Sequence, residues 1–334
     1  MTVLFNVLDV EKSYVVGSTP SGRWLVAPEP KRLKALDGVR LTVDEGDAIA
    51  LVGESGSGKS TLVRLMLGLE EATDGRILYR QADLRTMDRQ ARRQLAREVA
   101  FIYQDARGSM NPRMRIGRIL AEPMLLHELC SSGEVDEHVA RLLERVGLPA
   151  QFADRYPGEL SGGQVRRVAV ARALAAQPKV IIADESVAGL DVSVQAQLLN
   201  LLRGLCREMG LTLIFITHDL GVASYLCERI AVMYLGRIIE SGPTAAILND
   251  PIHPYTRGLM RAFPSFGRPL NASLKGEIPS PINLPAGCRF ASRCPEVRER
   301  CHEADPALAA QAQDRQAACW FPLTAQLRPL TLST

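Results

Sequence analysis

Residues 48–61 read AIALVGESGSGKST, in which the apolar run Ala48 to Val52 leads directly into Gly53-Glu54-Ser55-Gly56-Ser57-Gly58-Lys59-Ser60. The octapeptide fits the phosphate-loop pattern G-x-x-x-x-G-K-[ST], and the largely apolar stretch Leu62 to Leu69 supplies the helix that such a loop opens. Strand, loop and helix in this order predict an α/β domain. Glycines allow successive backbone N–H groups to turn inward on phosphates at a helix N-terminus. Gly53, Ser55, Gly56, Ser57, Gly58 and Thr61 are therefore candidate nucleotide contacts. Lys59 offers a point charge to the β and γ phosphates, and Ser60 a hydroxyl to Mg²⁺. The bland alternative is a glycine-rich turn with an exposed lysine, which the flanking strand and helix disfavour.

The chain has 334 residues, room for two domains at roughly 150 residues each. Apolar residues make up 46%, charged 23% and aromatic 5%, which excludes a disordered, fibrous or disulfide-scaffold chain. Forty Lys plus Arg against 37 Asp plus Glu gives +3, too small an excess to argue for a nucleic-acid surface. No apolar run approaches the roughly 18 residues of a membrane span. The start, MTVLFNVLDVEKSY, lacks the basic and apolar pattern of a secretory signal, so a cytosolic chain is expected.

Upstream of the loop, residues 17–34 hold three prolines and two glycines and read as a long loop between strands. Downstream, Thr73-Asp74-Gly75 is a turn into another short strand. Residues 88–176 are mostly helical in pattern, with Val139, Leu142, Leu143 and Val146 on one face. Strands return at Val180 to Ala183 and Leu211 to Thr217, separated by a helix that Gly210 can stop. Strand, helix, strand with continuous apolar strands predicts a parallel sheet. Ile230 to Leu235 and Arg237 to Glu240, joined at Gly236, suggest a hairpin. Composition shifts near residue 250, so domains are expected at 1–250, with a helical subdomain at about 105–176, and at 251–334.

Two further stretches carry chemistry. Val180-Ile181-Ile182-Ala183-Asp184-Glu185 is a buried strand ending in two carboxylates, where an α/β sheet presents its ligands. Asp184 can join the Mg²⁺ shell and Glu185 can polarise an attacking water. Leu160-Ser161-Gly162-Gly163-Gln164 opens a helix running to about Ala176, a second anion site at a positive helix end. Two phosphate-facing sites in one chain need a common explanation.

With these motifs in place, the chain resembles the ATP-binding cassette (ABC) ATPases. The resemblance implies an α/β phosphate-loop NTPase cassette with a RecA-like core sheet, an antiparallel β part and a helical signature subdomain. It further implies that Ser161 to Gln164 close over ATP held by the phosphate loop of a second cassette. Gln104 matches the glutamine that touches Mg²⁺ and the attacking water, His218 the switch histidine at the γ-phosphate, and Asp191 the aspartate that crosses the dimer interface. Tyr14 is the candidate aromatic for stacking on adenine. Taken singly, Gln104 and Asp191 read as solvated loop residues and His218 as a satisfied strand-end histidine.

Gln104 to Met114, Asp191 to Gln197 and His253-Pro254-Tyr255-Thr256 are similar to the oligopeptide, dipeptide and nickel importer subfamily, and the long loop before Lys34 resembles the second of its two unlike ATPase subunits. This implies an ATP-hydrolysing subunit on the cytoplasmic face of a membrane that powers import of peptides. Its implied partners are a related ATPase subunit (a heterodimer, with a homodimer possible), two permease subunits and an extracytoplasmic binding protein, with no nucleic acid. Nickel, an opine or glutathione are alternative cargoes. A soluble ABC ATPase acting on nucleic acid or ribosomes is the rival class; it usually shows tandem cassettes or a long coiled-coil insertion, which this chain lacks.

Seven cysteines fall into two patterns: Cys130, Cys206 and Cys227 are isolated, while Cys288, Cys294, Cys301 and Cys319 crowd into a Pro-rich tail. Four thiolates suit Zn²⁺ or an iron–sulfur cluster, although C-x2-4-C zinc knuckles are missing. The resemblance implies a [4Fe-4S] cluster, with Zn²⁺ or unligated thiols as alternatives. Ser186, Ala188 and Gly189 depart from the family pattern without removing a catalytic group, and Gly189 is expected to loosen its loop by up to about 1 kcal/mol relative to alanine.

Overall fold

The structure, a computed structural model, describes residues 2–16, 31–185, 191–262, 276–312 and 314–323. In chain order the first elements are β1 (Val3–Val16), β2 (Lys31–Asp44), β3 (Ala48–Val52), α1 (Lys59–Met66), β4 (Asp74–Tyr79) and β5 (Ala82–Asp83). Next come α2 (Arg89–Glu98), β6 (Val99–Ile102), α3 (Ile116–Leu126), α4 (Val135–Arg145) and α5 (Gly162–Ala175). The chain continues through β7 (Val180–Asp184), α6 (Val192–Met209), β8 (Thr212–Thr217), α7 (Leu220–Leu226), β9 (Arg229–Tyr234) and β10 (Arg237–Pro243). It closes with α8 (Thr244–Asn249), α9 (Pro254–Ala262), α10 (Arg300–Glu303), β11 (Ala309–Gln311) and β12 (Arg315–Ala317).

The described chain divides into two compact units that interleave in sequence. The first comprises residues 1–2, 44–48 and 86–216. In it β6, β7 and β8 pair in parallel, Val99 opposite Val180 and Val180 opposite Thr212. Ile181, Ile182, Ile214 and Phe215 are fully buried, as expected of strands covered on both faces. Helix α5 packs against α3, α4 and α6, and Val165, Val168, Ala169, Ala171 and Leu174 are buried around it. The face of α4 anticipated from its spacing is the buried one: Val139, Leu142, Leu143 and Val146 are each at most 8% exposed. Gly210 ends α6 in the left-handed region at φ 62°.

The second unit comprises residues 3–43, 49–85 and 217–334. One of its sheets runs β2-β1-β4-β5. In the other, β3 pairs in parallel with β9, β9 with β10 as the anticipated antiparallel hairpin, and β10 with β12, which pairs with β11. The tail therefore adds strands to a sheet begun by β3. The loop expected over residues 17–34 gives way to strand at Lys31; residues 17–30 lie outside the described residues. Lysine is a poor strand former, and sheet pairing overrides that weak preference.

Candidate functional site

In the second unit the phosphate loop joins β3 to α1. Gly58, the N-cap of α1, has φ 106°, and a Cβ there would stand 2.6 Å from the Ala35 carbonyl oxygen. At Gly53 a Cβ would meet the Met233 carbonyl oxygen at 2.2 Å, so the strand can approach this closely only with glycine. The Lys59 ammonium is buried and donates to the carbonyl oxygens of Gly53 (2.7 Å) and Glu54 (2.9 Å), which holds the charge at the loop. Ser55 and Gly56 are exposed, Ser57 is buried, and Ser60 and Thr61 are half-buried in the first turn of α1. The half-buried Tyr14 belongs to β1. Its hydroxyl donates to Glu70 Oε2 at 2.5 Å, it also bonds the Thr61 side chain, and Lys12 lies 5.1 Å from the ring centroid. The candidate adenine-stacking residue is therefore beside α1.

In the first unit Asp184 ends β7 and Glu185 follows it. Gln104, just after β6, donates from Nε2 to Glu185 Oε2 at 2.9 Å. Because β6 and β7 are parallel neighbours, both residues emerge at carboxyl ends of strands, where catalytic groups gather in such sheets. Glu185 has φ 39°, rare for a side chain of this kind, and its N–H is held by the Ile216 carbonyl at 3.0 Å. Asp184 and Gln104 in this unit, and Ser60 in the other, each offer a hard oxygen of the kind Mg²⁺ takes.

Ser161 is the N-cap of α5. Its Oγ accepts the Gln164 N–H at 3.3 Å while the Gln164 side chain accepts the Ser161 N–H at 2.9 Å, a reciprocal capping box. Gly162 follows in the first turn, and a Cβ at Gly163 would stand 2.7 Å from Val194 Cγ1 of α6, the helix whose N-cap is the exposed Asp191. Arg107 donates to the Leu160 carbonyl at 2.7 Å and Arg172 of α5 to the Ser109 carbonyl at 2.6 Å, stitching the segment after Gln104 to the signature helix. His218, in the second unit, is exposed after β8 and precedes Asp219, which caps α7 through Gly221 N and Val222 N. Ser186, Ala188 and Gly189 lie outside the described residues.

The tail departs from expectation. Cys288, Cys294, Cys301 and Cys319 line one cavity of about 10 Å³, together with His253, Phe290, Glu296 and Trp320. Yet among the described residues no group of three or more His, Cys, Asp or Glu side chains is arranged to hold a metal ion. The four thiols converge on one cavity without forming a ready ligand set. Burial pushes the Cys288 thiol up to about 12 and Cys319 up to about 11, which favours neutral thiols over thiolates. The His253 Nδ1 accepts the Tyr255 N–H at 3.0 Å, and the ring also bonds the Ala318 backbone.

Sequence reading missed what surrounds the loop. Arg293 donates to both oxygens of Glu54, at 2.8 and 3.0 Å, and the Glu54 N–H donates to the Tyr255 hydroxyl at 3.0 Å. Tyr255 belongs to the His253-Pro254-Tyr255-Thr256 motif, so the motif itself was the available signal for that contact.

These parts make up an ATP-binding cassette ATPase, and comparison with known proteins agrees. Residues 36–188 match the ABC transporter family and residues 239–301 the C-terminal region of oligopeptide/dipeptide transporters. The chain belongs to the ABC transporter ATP-binding proteins, in their oligopeptide/dipeptide branch. It is 44% identical over 312 residues to the oligopeptide transport ATP-binding protein OppF of Salmonella typhimurium, covering 92% of each chain. It is 42% identical to the dipeptide transport ATP-binding protein DppF of Haemophilus influenzae, covering 96% of this chain and 97% of that one. Among solved structures, the dimeric ATP-binding cassette MJ0796 bound to ADP and Pi superposes with a TM-score of 0.63 at 28% identity, over 72% of this chain and 99% of that one. No helix among the described residues is long and apolar enough to cross a membrane.

Proposed function

We propose that the chain is the ATP-hydrolysing subunit that powers import of di- or oligopeptides through a membrane transporter, working at the cytoplasmic face. The cargo reading rests on similarity along nearly the whole chain to oligopeptide and dipeptide transport subunits. Its partners are a second, related ATPase subunit, two permease subunits and an extracytoplasmic binding protein. The observation that carries hydrolysis is the Gln104–Glu185 hydrogen bond, which orients a carboxylate at a strand end.

In this reading Lys59 and the loop amides bind the β and γ phosphates, and Tyr14 packs on adenine. Ser60, Asp184 and Gln104 would hold Mg²⁺, which would supply neutralisation of charge on the phosphates. Glu185 accepts a proton from the attacking water, while Gln104 and His218 orient that water. Ser161, Gly162, Gly163, Gln164 and Asp191 serve the ATP of the partner cassette, so closure of two cassettes on two nucleotides precedes hydrolysis and loss of phosphate reopens them. The segment after Gln104, tied to α5 through Arg107 and Arg172, passes the motion to a permease subunit.

The shared cavity of Cys288, Cys294, Cys301 and Cys319 supports a structural centre in the tail, a [4Fe-4S] cluster or Zn²⁺, outside hydrolysis; binding requires the thiols to draw together and release protons. Iron and zinc content of anaerobically purified complex reads this directly. For transport, proteoliposomes holding the assembled complex should hydrolyse ATP faster with peptide-loaded binding protein. Stimulation by nickel, an opine or glutathione but by no peptide would overturn the cargo reading.

A further inference from the structure

Glu54 is the acidic residue within the phosphate loop, an odd place for negative charge because the loop's task is to gather phosphates. Arg293 meets it in a two-pronged pair, Nη1 to Oε2 at 2.8 Å and Nη2 to Oε1 at 3.0 Å, with the arginine side chain 3% exposed and the glutamate 26%. Such planar fork-to-carboxylate pairing fixes direction as well as charge. The arginine is itself anchored: Nη1 also donates to the Tyr234 hydroxyl at 3.3 Å, and its N–H donates to the Phe290 carbonyl at 3.0 Å.

Two more contacts reach the loop, from Tyr255 and from the β9–β10 turn. The buried Tyr255 hydroxyl accepts the Glu54 N–H, and Gly236 N–H donates to the Ser57 carbonyl at 2.9 Å. Arg289 holds that hairpin turn by donating to the Leu235 carbonyl at 2.5 Å and to Asp37. Arg289 and Arg293 both lie in the short segment from Cys288 to Cys294, and both are under 10% exposed.

We propose that Arg293 is a positioning residue for the nucleotide site: by neutralising Glu54 it fixes the phosphate loop and prevents the loop's own carboxylate from repelling the triphosphate. The inference rests on the phosphate-loop reading above and adds the tail region to the nucleotide-binding apparatus. A pair serving only stability would give a variant that binds nucleotide normally once folded. A pair that cancels charge at an anion site gives a different pattern, in which removing the second partner repairs the loss caused by removing the first.

The test is equilibrium titration of the full chain with a fluorescent ATP analogue and Mg²⁺, with thermal melts run in parallel. Wild-type binding and its loss in Lys59→Ala establish the loop; equal behaviour of those two chains overturns the loop reading and this proposal with it. Arg293→Met should raise Kd roughly tenfold, since an unpaired charge next to phosphates acts in a low local dielectric. Arg293→Lys, which keeps charge but loses the fork, should fall between. Glu54→Gln/Arg293→Met should return to within about threefold of wild type, because no uncancelled carboxylate is left. Wild-type affinity in Arg293→Met, or a double variant no better than Arg293→Met, overturns the proposal. Should Arg293→Met fail to fold, Arg293→Lys against the double variant makes the same distinction: Kd higher in Arg293→Lys supports the proposal, and Kd equal in both overturns it.

Discussion

Gln104 Nε2 lies 2.9 Å from Glu185 Oε2, and Glu185 is itself held at φ 39° by its N–H bond to the Ile216 carbonyl. A left-handed glutamate costs on the order of 1 kcal/mol, and such a conformation persists where its surroundings fix it. Here one bond sets the backbone and another the carboxylate, so the proposed base points one way before substrate arrives.

Glu185→Gln should retain ATP binding while turnover falls roughly 10²- to 10⁴-fold, the usual contribution of a general base. Gln104→Ala leaves the base but frees its direction and removes a proposed Mg²⁺ donor, so kcat should drop about tenfold and Mg²⁺–nucleotide binding should weaken. Gln104→Glu is more diagnostic: two carboxylates at this distance resist ionising together, so the pH profile of kcat should shift upward. A profile identical to wild type would remove Gln104 from contact with the base in solution.

Gly58→Ala forces a Cβ to within 2.6 Å of a carbonyl oxygen at φ 106°, so the loop must shift. Nucleotide affinity should fall together with a stability loss of at least about 1 kcal/mol. The control is Gly204→Ala in α6, where a Cβ meets nothing within 4 Å and added helix propensity should raise stability by up to about 1 kcal/mol. Paired denaturant titrations compare the two.

Ser161→Ala removes the acceptor of the capping box on α5 and should cost about 1 kcal/mol in the isolated subunit. Ser161→Asp restores a cap, so stability should recover. If Ser161 also meets a partner's ATP, the added negative charge will leave turnover of the assembled transporter low despite the recovered stability. Recovery of both would confine Ser161 to capping.

Burial pushes His253 down to about 4, below its ordinary value of 6.5. Between these pH values the unfolded chain binds a proton that the native chain does not, so this stability is complete above pH 6.5 and declines as pH falls toward 4. The gap corresponds to roughly 3 kcal/mol. Glu240, whose carboxyl is pushed up by burial and accepts the N–H groups of Ile252 and His253, acts in the opposite sense in acid. Comparison with His253→Asn, which keeps an acceptor for the Tyr255 N–H, isolates the histidine: denaturant midpoints at pH 7.5 and 5 should separate more in wild type. Equal separations would contradict the assignment.

Local chemistry was legible in the sequence. The loop from Gly53 to Ser60, the stop at Gly210, the apolar face of α4 and the β9–β10 hairpin each depend on residues close together in the chain. Glu185 was legible from the strand end and Gln104's role came through resemblance, but their hydrogen bond across 81 positions was not anticipated. Arg293 and Glu54 are 239 positions apart, and a single charge pair across that distance leaves no periodic trace. The four cysteines were legible as a group from their crowding, and they do line one cavity, although no ligand set stands preformed among the described residues.

Strand β12 covers one side of β10, with Glu240 opposite Ala317 and Ser241 opposite Gln316, and the three-residue β11 closes the row. The last segment is thus a guard rail for an otherwise naked hydrogen-bonding edge. Clipping the polypeptide where its composition changes near residue 250 would leave β10 open to pairing with its copies, so a shortened cassette should precipitate rather than serve as a minimal motor.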